Sequence, residues 1–482
     1  MDALQQPHEA VTRRARRFRG LDREALLERV VPAHRRAGAG GPRPGLADRG
    51  WRARRGGRAL AAPVPQVPGG QHPLRRERDP AQHHWRAAAR PAALRKEAAI
   101  DFDFSTSQYL SRDSARRFLA DRLPTTRLRR LVDTDTGFDR ELWRGLAELG
   151  WTSVLLGEKH GGLGLGFLDL ALLCEESGRA LLPAPLVETA VVLPLALDAG
   201  SAAQCERWLP RVATGDAVAT AALAGRDGFP LPSGIDVRAR REGAWFVLDG
   251  EALVVPFADV ADVMLTATRV DDGDGIALFL VEPGDAGVSR QALPGLDPTI
   301  RTAAVRFGGV RLGRDRVIGE AGGGRPALER ALRAANIALA FQAVGGAGRA
   351  LEMAVEYAKV RQQFGKPIGS FQAIKHKCAD MMVQYETRRA GACYAAWTID
   401  AGAPDAEVAA AMAKAMCTEM FPYVAGAAIQ VHGGIGFTWE HDLHFYFKRA
   451  KYLEFALGTP SQHREVVAAT WLAKSSVEGD HR

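Results

Sequence analysis

Three short stretches in the last third of this chain have residue types and spacings that could do chemistry. The first is RQQFGKPIGSFQ, residues 361–372. A helical apolar pattern runs up to it, then Arg361, Gln363 and Phe364 lead into a glycine-proline turn, and Gln372 opens the next helical pattern. An arginine at a helix end beside such a turn suits an anionic diphosphate, because its planar fork donates paired hydrogen bonds and its charge is fixed. A helix-terminal salt bridge would use the same residue type. The second stretch is QVHGGIGFTWEHDLH, residues 430–444. Gln430 can bond a ribose or phosphate, while Gly433, Gly434 and Gly436 let a ligand come close to the backbone. His432, His441 and His444 stand nearby without acidic or cysteine partners at ligand spacing, so no metal site is predicted. The third is KYLEFALGTPSQHRE, residues 451–465. Its apolar run stops at Gly458, and helix breaks present unpaired backbone groups to ligands. Yet Leu457, just before the break, can neither take nor give a proton.

These motifs need elements to position them. From Asp101 onwards, SARRFLADRL, FDRELWRGLAELGW and LDLALLCEESGRALL repeat apolar residues every three or four positions, the mark of amphipathic helices. Between them GEKHGGLGLG, residues 157–166, is read as a turn that brings helices together. At about Asp216 the period changes to two, in short β-branched segments bounded by Gly, Asp or Pro. Helical spacing returns after EAGGGRP and predicts a long helix over 327–363, followed by helices near 370–400, 405–431 and 459–474. The expected fold is α+β: an N-terminal all-α domain (101–214), a middle antiparallel β domain (215–318), a C-terminal helical bundle domain (324–475) and a short tail (476–482).

Composition narrows the class. The chain has 482 residues, is 46% hydrophobic and carries a net charge of +8. That charge is local: residues 1–100 hold 21 Arg and 1 Lys against 9 acidic residues, while the remainder carries −5. The basic segment lacks interleaved aromatics or a binding motif, so no nucleic-acid partner is expected. No apolar run long enough for a membrane span and no export signal are found, and Cys174, Cys205, Cys378, Cys393 and Cys417 form no CxxC pair. A cytoplasmic protein with reduced thiols is expected. Residues 1–99 have the arginine bias of GC-rich DNA read out of frame. A disordered arm is the alternative reading.

Taken together and in this order, GEKHGGLGLG, RQQFGKPIGSFQ, QVHGGIGFTWEHD and GTPSQHRE resemble the acyl-CoA dehydrogenase family, over about 101–475. The resemblance implies FAD as cofactor, an acyl-CoA thioester as substrate, α,β-desaturation in lipid degradation and an electron-transfer flavoprotein as acceptor. It also implies dimer-based assemblies in which such motifs hold the flavin of a neighbouring subunit. Carried over, Arg361, Gln363, Phe364, Gln372, Gln430, Gly433 and Gly434 face the flavin's diphosphate and adenosine, and Thr459 contacts the flavin after the catalytic turn. The family's carboxylate base, which removes the α-proton, is absent. Its two usual positions fall here on Leu457 and Ala335. Glu454, one turn earlier, is a conceivable substitute, although a solvated helix face is the simpler reading. The acidic-polar flavin loop after the first strand is also missing, replaced by AALAGRDGFPLPSG, residues 221–234.

Heteromeric relatives in sterol-degrading bacteria pair a base-bearing chain with one lacking the base, in heterotetramers, and this sequence resembles the latter. Read one nucleotide out of frame, residues 77–95 permit a string resembling an acyl-CoA dehydrogenase tail. That string points to a homologous partner subunit encoded immediately upstream. Two other readings stay open: a homo-oligomeric flavin oxidase or monooxygenase relative, and a non-catalytic scaffold subunit. A sterol-derived or bulky acyl group is favoured by analogy alone.

Overall fold

The computed structural model describes residues 104–226, 228–229, 234–270 and 275–479, with side chains as far as residue 472. The two readings of residues 1–99 therefore lie outside the described residues. Helix α1 (Thr106–Arg122) begins at Ser105, whose hydroxyl accepts from the Gln108 N–H while the Gln108 side chain accepts from the Ser105 N–H. This reciprocal pair satisfies donors that any helix start leaves open. Helices α2 (Thr125–Val132), α3 (Arg140–Glu148) and α4 (Phe167–Arg179) follow, then a π-helical turn (Glu188–Val192), α5 (Leu193–Leu197) and α6 (Ala202–Ala213). The glycine turn before α4 is tight, since a Cβ on Gly162 would stand 1.9 Å from the Leu156 carbonyl oxygen. It aims the first N–H groups of α4 at a distant carboxylate: Phe167 and Leu168 donate to Asp400 at 2.6 and 3.0 Å.

The sheet consists of β1 (Ala219–Ala222), β2 (Arg238–Glu242), β3 (Trp245–Pro256), β4 (Val263–Val270), β5 (Ile276–Val281), β6 (Val288–Leu293), β7 (Thr302–Gly313) and β8 (Val317–Ile318). Its order is β6-β7-β3-β2-β4-β5-β8, with β1 also on β4. Most pairings are antiparallel, as the alternating segments predict, but β1 and β2 both run parallel to β4. Neither reaches β4 through a hairpin, and parallel neighbours need such crossovers. Strand β5 is buried on both faces: Ile276, Leu278 and Leu280 join the core shared with the helices, while Ala277, Phe279 and Val281 join a second core with Phe246 and Phe307. The period-two alternation of side chains makes this division.

The C-terminal region opens with α7 (Arg325–Val360), roughly 54 Å long at 1.5 Å per residue. A small hairpin of β9 (Gln362–Gln363) and β10 (Lys366–Pro367) leads to α8 (Gln372–Asp400), α9 (Ala406–His432), α10 (Leu443–Phe455) and α11 (Pro460–Gly479). Sequence spacing did not separate α10 as a helix of its own. His444 and Arg449 interrupt its apolar pattern, yet both are buried. Helices α4 and α7 cross without clearance: a Cβ on Gly178 would lie 2.0 Å from the Gln342 carbonyl oxygen, and one on Gly345 would lie 1.7 Å from that of Glu175. Arginines surround the same crossing. Glu175 pairs with Arg389 at 3.0 Å and Glu176 with Arg116 at 2.7 Å, and Arg179 pairs with Glu352.

One ion pair joins all three regions. Arg449 on α10 and Asp297, in the loop between β6 and β7, are each only 1% exposed and meet at 2.6 Å. The same guanidinium donates to the Thr299 hydroxyl at 2.6 Å and to the carbonyls of Leu181 and Leu182 in the N-terminal region. No helix among the described residues is long and apolar enough to cross a membrane. Removing one partner of a buried pair strands the other charge, so Arg449→Met is expected to cost roughly 3–5 kcal/mol. Chemical denaturation followed by circular dichroism measures this, and a loss below about 1 kcal/mol would show the pair to be dispensable.

Candidate functional site

The two glycine turns stand together at one end of the helical bundle. The ring of Tyr357, in the last turn of α7, stacks on His432 at the end of α9, with centroids 4.3 Å apart and planes 21° off parallel. Burial pushes the His432 imidazole below its usual range, and the neutral ring donates through Nδ1 to the Ala428 carbonyl at 2.8 Å. From these anchored helix ends the chain turns outwards. Arg361 leaves α7 in an extended conformation, and its guanidinium has no partner among the described residues. Gln363 and Gln372 are exposed, and Phe364 is 91% exposed in a left-handed conformation. Gln430 accepts from Lys377 Nζ at 2.8 Å, which brings a second cation to the same end. Gly433 has φ of +66°, and a Cβ on either Gly433 or Gly434 would meet nothing within 4 Å. The Gly433 N–H bonds back to the Ile429 and Gln430 carbonyls, so what the turn offers is close approach to bare backbone, beside the charges of Arg361 and Lys377.

Thr459 is elsewhere. Its turn packs against α9 at Lys414, sixteen residues before Gln430, which is roughly 24 Å along the helix. Leu457 adopts φ of +56°, a conformation that costs a non-glycine residue on the order of 1–3 kcal/mol unless its surroundings impose it. They do so from three sides. Lys414, fully buried, donates to the carbonyls of Leu453 and Gly458 at 2.9 and 3.0 Å. His463 Nε2 donates to the Leu457 carbonyl at 3.1 Å. Thr459 caps α11 by bonding Gln462 through both its N–H and its hydroxyl. A lysine in an otherwise apolar helical run, AAAMAKAM, was the sequence signal that spacing arguments passed over.

Neither base position carries an acid in the fold. Leu457 is half-buried, and Ala335 is fully buried within α7. Glu454 is bound to Lys451 at 2.6 Å on the flank of α10. The loop after β1 does reach the turn, but with an aromatic ring: Phe229 stands edge-on to His463 with centroids 5.6 Å apart, and a Cβ on Gly458 would lie 2.4 Å from it. Among the described residues no group of three or more His, Cys, Asp or Glu side chains is placed to hold a metal.

Comparison with known proteins decides what these turns belong to. The N-terminal domain profile of acyl-CoA dehydrogenases matches residues 105–216, and the C-terminal domain profile matches 322–472. Acyl-CoA dehydrogenase IpdE2 of Mycolicibacterium smegmatis is 31% identical over 337 residues, covering 70% of this chain and 89% of its own. The chain belongs to the acyl-CoA dehydrogenase family. It is an oxidoreductase acting on CH–CH bonds with FAD as cofactor. Among solved structures, the ChsE4–ChsE5 complex from Mycobacterium tuberculosis aligns with a TM-score of 0.71 at 29% identity, covering 77% of this chain and 99% of the other. The FAD complex of PigA aligns with a TM-score of 0.72 at 26% identity, again over 77% of this chain and 99% of the other. FAD fits this chain unevenly. Unpaired Arg361 and the open glycines suit its adenosine diphosphate, whereas Phe229 crowds the turn at Gly458, where the ring end would belong.

Burial drives the Lys414 ammonium from its usual 10.5 down to about 7, against the opposing pull of Glu454. The unfolded chain therefore binds the extra proton between these values. The stability contributed here is complete above about 10.5 and is lost as pH falls through about 7. Lys414→Met is expected to flatten that pH dependence, measured as denaturation midpoints on either side of the window.

Proposed function

We propose that this chain is the base-lacking subunit of a heteromeric FAD-dependent acyl-CoA dehydrogenase, and that a homologous partner subunit supplies the carboxylate. The observation that carries this reading is the apolar pair at the two base positions, Leu457 in its imposed left-handed turn and Ala335 in the core. Two further facts support it. The residues expected to touch FAD fall into two groups roughly 24 Å apart along α9, so each group would serve one end of a cofactor shared between chains. Similarity to the ChsE4–ChsE5 complex, a structure of two different named chains, agrees with that division.

In the assembled enzyme, Arg361, Gln363 and Gln430, with the open backbone at Gly433 and Gly434, would hold the adenosine diphosphate end. Phe364 and Gln372 would flank it. Thr459 would sit at the ring end, kept in place by Lys414 and His463. Bound FAD supplies a hydride acceptor for the β-carbon of an acyl-CoA thioester. This chain's residues bind, orient and exclude water, while the α-proton leaves to the partner's carboxylate. A homologue encoded upstream is the first partner to test, and an electron-transfer flavoprotein is the proposed acceptor.

The deciding experiment is the flavin-to-chain ratio by absorbance, for the chain purified alone and after co-expression with the upstream gene's product. Little flavin alone and a stable flavin-bearing complex on co-expression is the expected result. One flavin per chain in the isolated protein would overturn the half-site reading. Within the complex, Arg361→Met removes a charge-assisted contact worth ~1.5–3 kcal/mol. It is expected to weaken FAD retention at least tenfold, read by dialysis against apo-complex.

A further inference from the structure

The segment that follows the Gly433 turn is tied to the N-terminal region by one arginine. Arg129 lies on α2, the short helix whose Leu128 and Val132 are buried. Its Nε and Nη2 both donate to Asp442 Oδ1, at 3.1 and 2.7 Å. Its Nη1 donates to the Trp439 carbonyl at 2.7 Å, and Nη2 also reaches the Glu440 carbonyl at 3.3 Å. All three guanidinium nitrogens are thus engaged by a stretch 310 to 313 residues away in sequence. Helix α2 is itself held, since Arg301 donates to the Val132 and Thr134 carbonyls at 2.7 Å each.

This strap reaches the candidate cofactor end through packed rings. Trp439 stacks on His444, with centroids 4.5 Å apart and planes 19° off parallel, and the Arg129 guanidinium lies 5.0 Å from the centre of the Phe445 ring. The His441 ring packs on His432, with centroids 4.5 Å apart. His432 immediately precedes Gly433 and stacks on Tyr357, whose carbonyl accepts from the Arg361 N–H at 2.9 Å. Burial holds the His441 imidazole below its usual range, and its neutral Nδ1 accepts from the Leu443 N–H at 3.2 Å. The Thr438 N–H reaches the Ile435 carbonyl at 3.2 Å and the His441 N–H reaches that of Thr438 at 3.3 Å, both long for such bonds. A stretch bonded this weakly to itself takes its shape from what it packs against.

We propose that Arg129 is a positioning residue for the adenosine diphosphate end of the cofactor. Its fork sets the Trp439–Asp442 segment, and the His441 and His432 rings pass that placement to the Gly433 turn and to the end of α7. Its nitrogens are already taken, so it acts through this segment and not by meeting a phosphate itself. Supporting contacts of this kind keep the groups that touch a ligand in productive geometry. A lysine would supply the charge without the effect, because an ammonium on a flexible stem does not reproduce a planar fork aimed at three acceptors. The inference rests on the FAD reading above, and it adds the N-terminal region to the parts of this chain on which FAD retention depends.

The test uses the complex with the upstream gene's product, stripped of flavin and titrated with FAD by flavin fluorescence. Arg129→Met and Arg129→Lys are each expected to raise the FAD dissociation constant roughly tenfold, the lower end of what losing an outer contact costs at metal centres. Amide hydrogen exchange is expected to quicken within residues 433–442 and to stay unchanged in the other helices. Asp442 makes no capping bond to α10, so Asp442→Ala releases the other end of the strap and should give the same two changes even where Arg129→Met fails to fold. Full FAD affinity in Arg129→Lys would show that charge alone matters and would overturn the positioning role. Unchanged affinity in Arg129→Met and Asp442→Ala would overturn it as well, as would faster exchange throughout the helical regions. Arg361→Met, measured alongside, separates this inference from the cofactor reading. A tenfold loss there with none in Arg129→Met leaves that reading standing, whereas no FAD uptake by the unaltered complex overturns both.

Discussion

Arg449 holds this structure together. A single guanidinium at the centre of the molecule is bonded to the sheet region through Asp297 and Thr299, to the N-terminal helices through Leu181 and Leu182, and covalently to α10. Burying such a charge is costly unless it is paired and hydrogen-bonded, and here five acceptors from the other two regions engage it. The cost of burial makes the arrangement selective: α10 settles only where the sheet loop and the N-terminal turn arrive together. What α10 then delivers, at its far end, is the Leu457–Thr459 turn. The ion pair thus places the helix that leads to the turn, while Lys414, His463 and Thr459 set the form of the turn itself.

The turn at Leu457 keeps a fixed form with no acid in it. Leu457 has no chemistry to offer and sits in a conformation it would not choose, yet Lys414, His463 and the Thr459 cap hold it there. Burial pushes His463 down to about 4, so it remains a neutral donor across the physiological range. A neutral amine on Lys414 still has two N–H groups for its two carbonyls. The scaffold thus does not depend on either residue's charge, and the turn can serve a cofactor or a partner chain without itself exchanging protons.

Much of this was legible in the sequence, because it is written in local patterns. The switch from period 3.6 to period two marked the sheet, and glycine positions marked the turns at Gly161, Gly365 and Gly433 that the structure places at positive φ. The motif residues from Arg361 to Gly434 did come together at one bundle end. Other features left no local trace. Helix α10 was hidden because its buried residues include Arg449 and His444, whose partners are 150 or more residues away or are made by the fold itself. Lys414 is a lone lysine in an apolar run, and its role depends on two carbonyl acceptors 39 and 44 residues away. The parallel pairing of β1 and β2 with β4 depends on crossovers that alternation cannot report.

The crossing of α4 and α7 constrains how the molecule can move. With Gly178 and Gly345 each pressed against the other helix's backbone, the two helices have no room to slide along or past one another. They can only pivot about that point, like the blades of scissors about their rivet. Elements built on α4 and on α7 are therefore held in one register at this contact. The frame to which the Leu457–Thr459 turn and the glycine turns are attached thus has a fixed point that does not depend on any ligand.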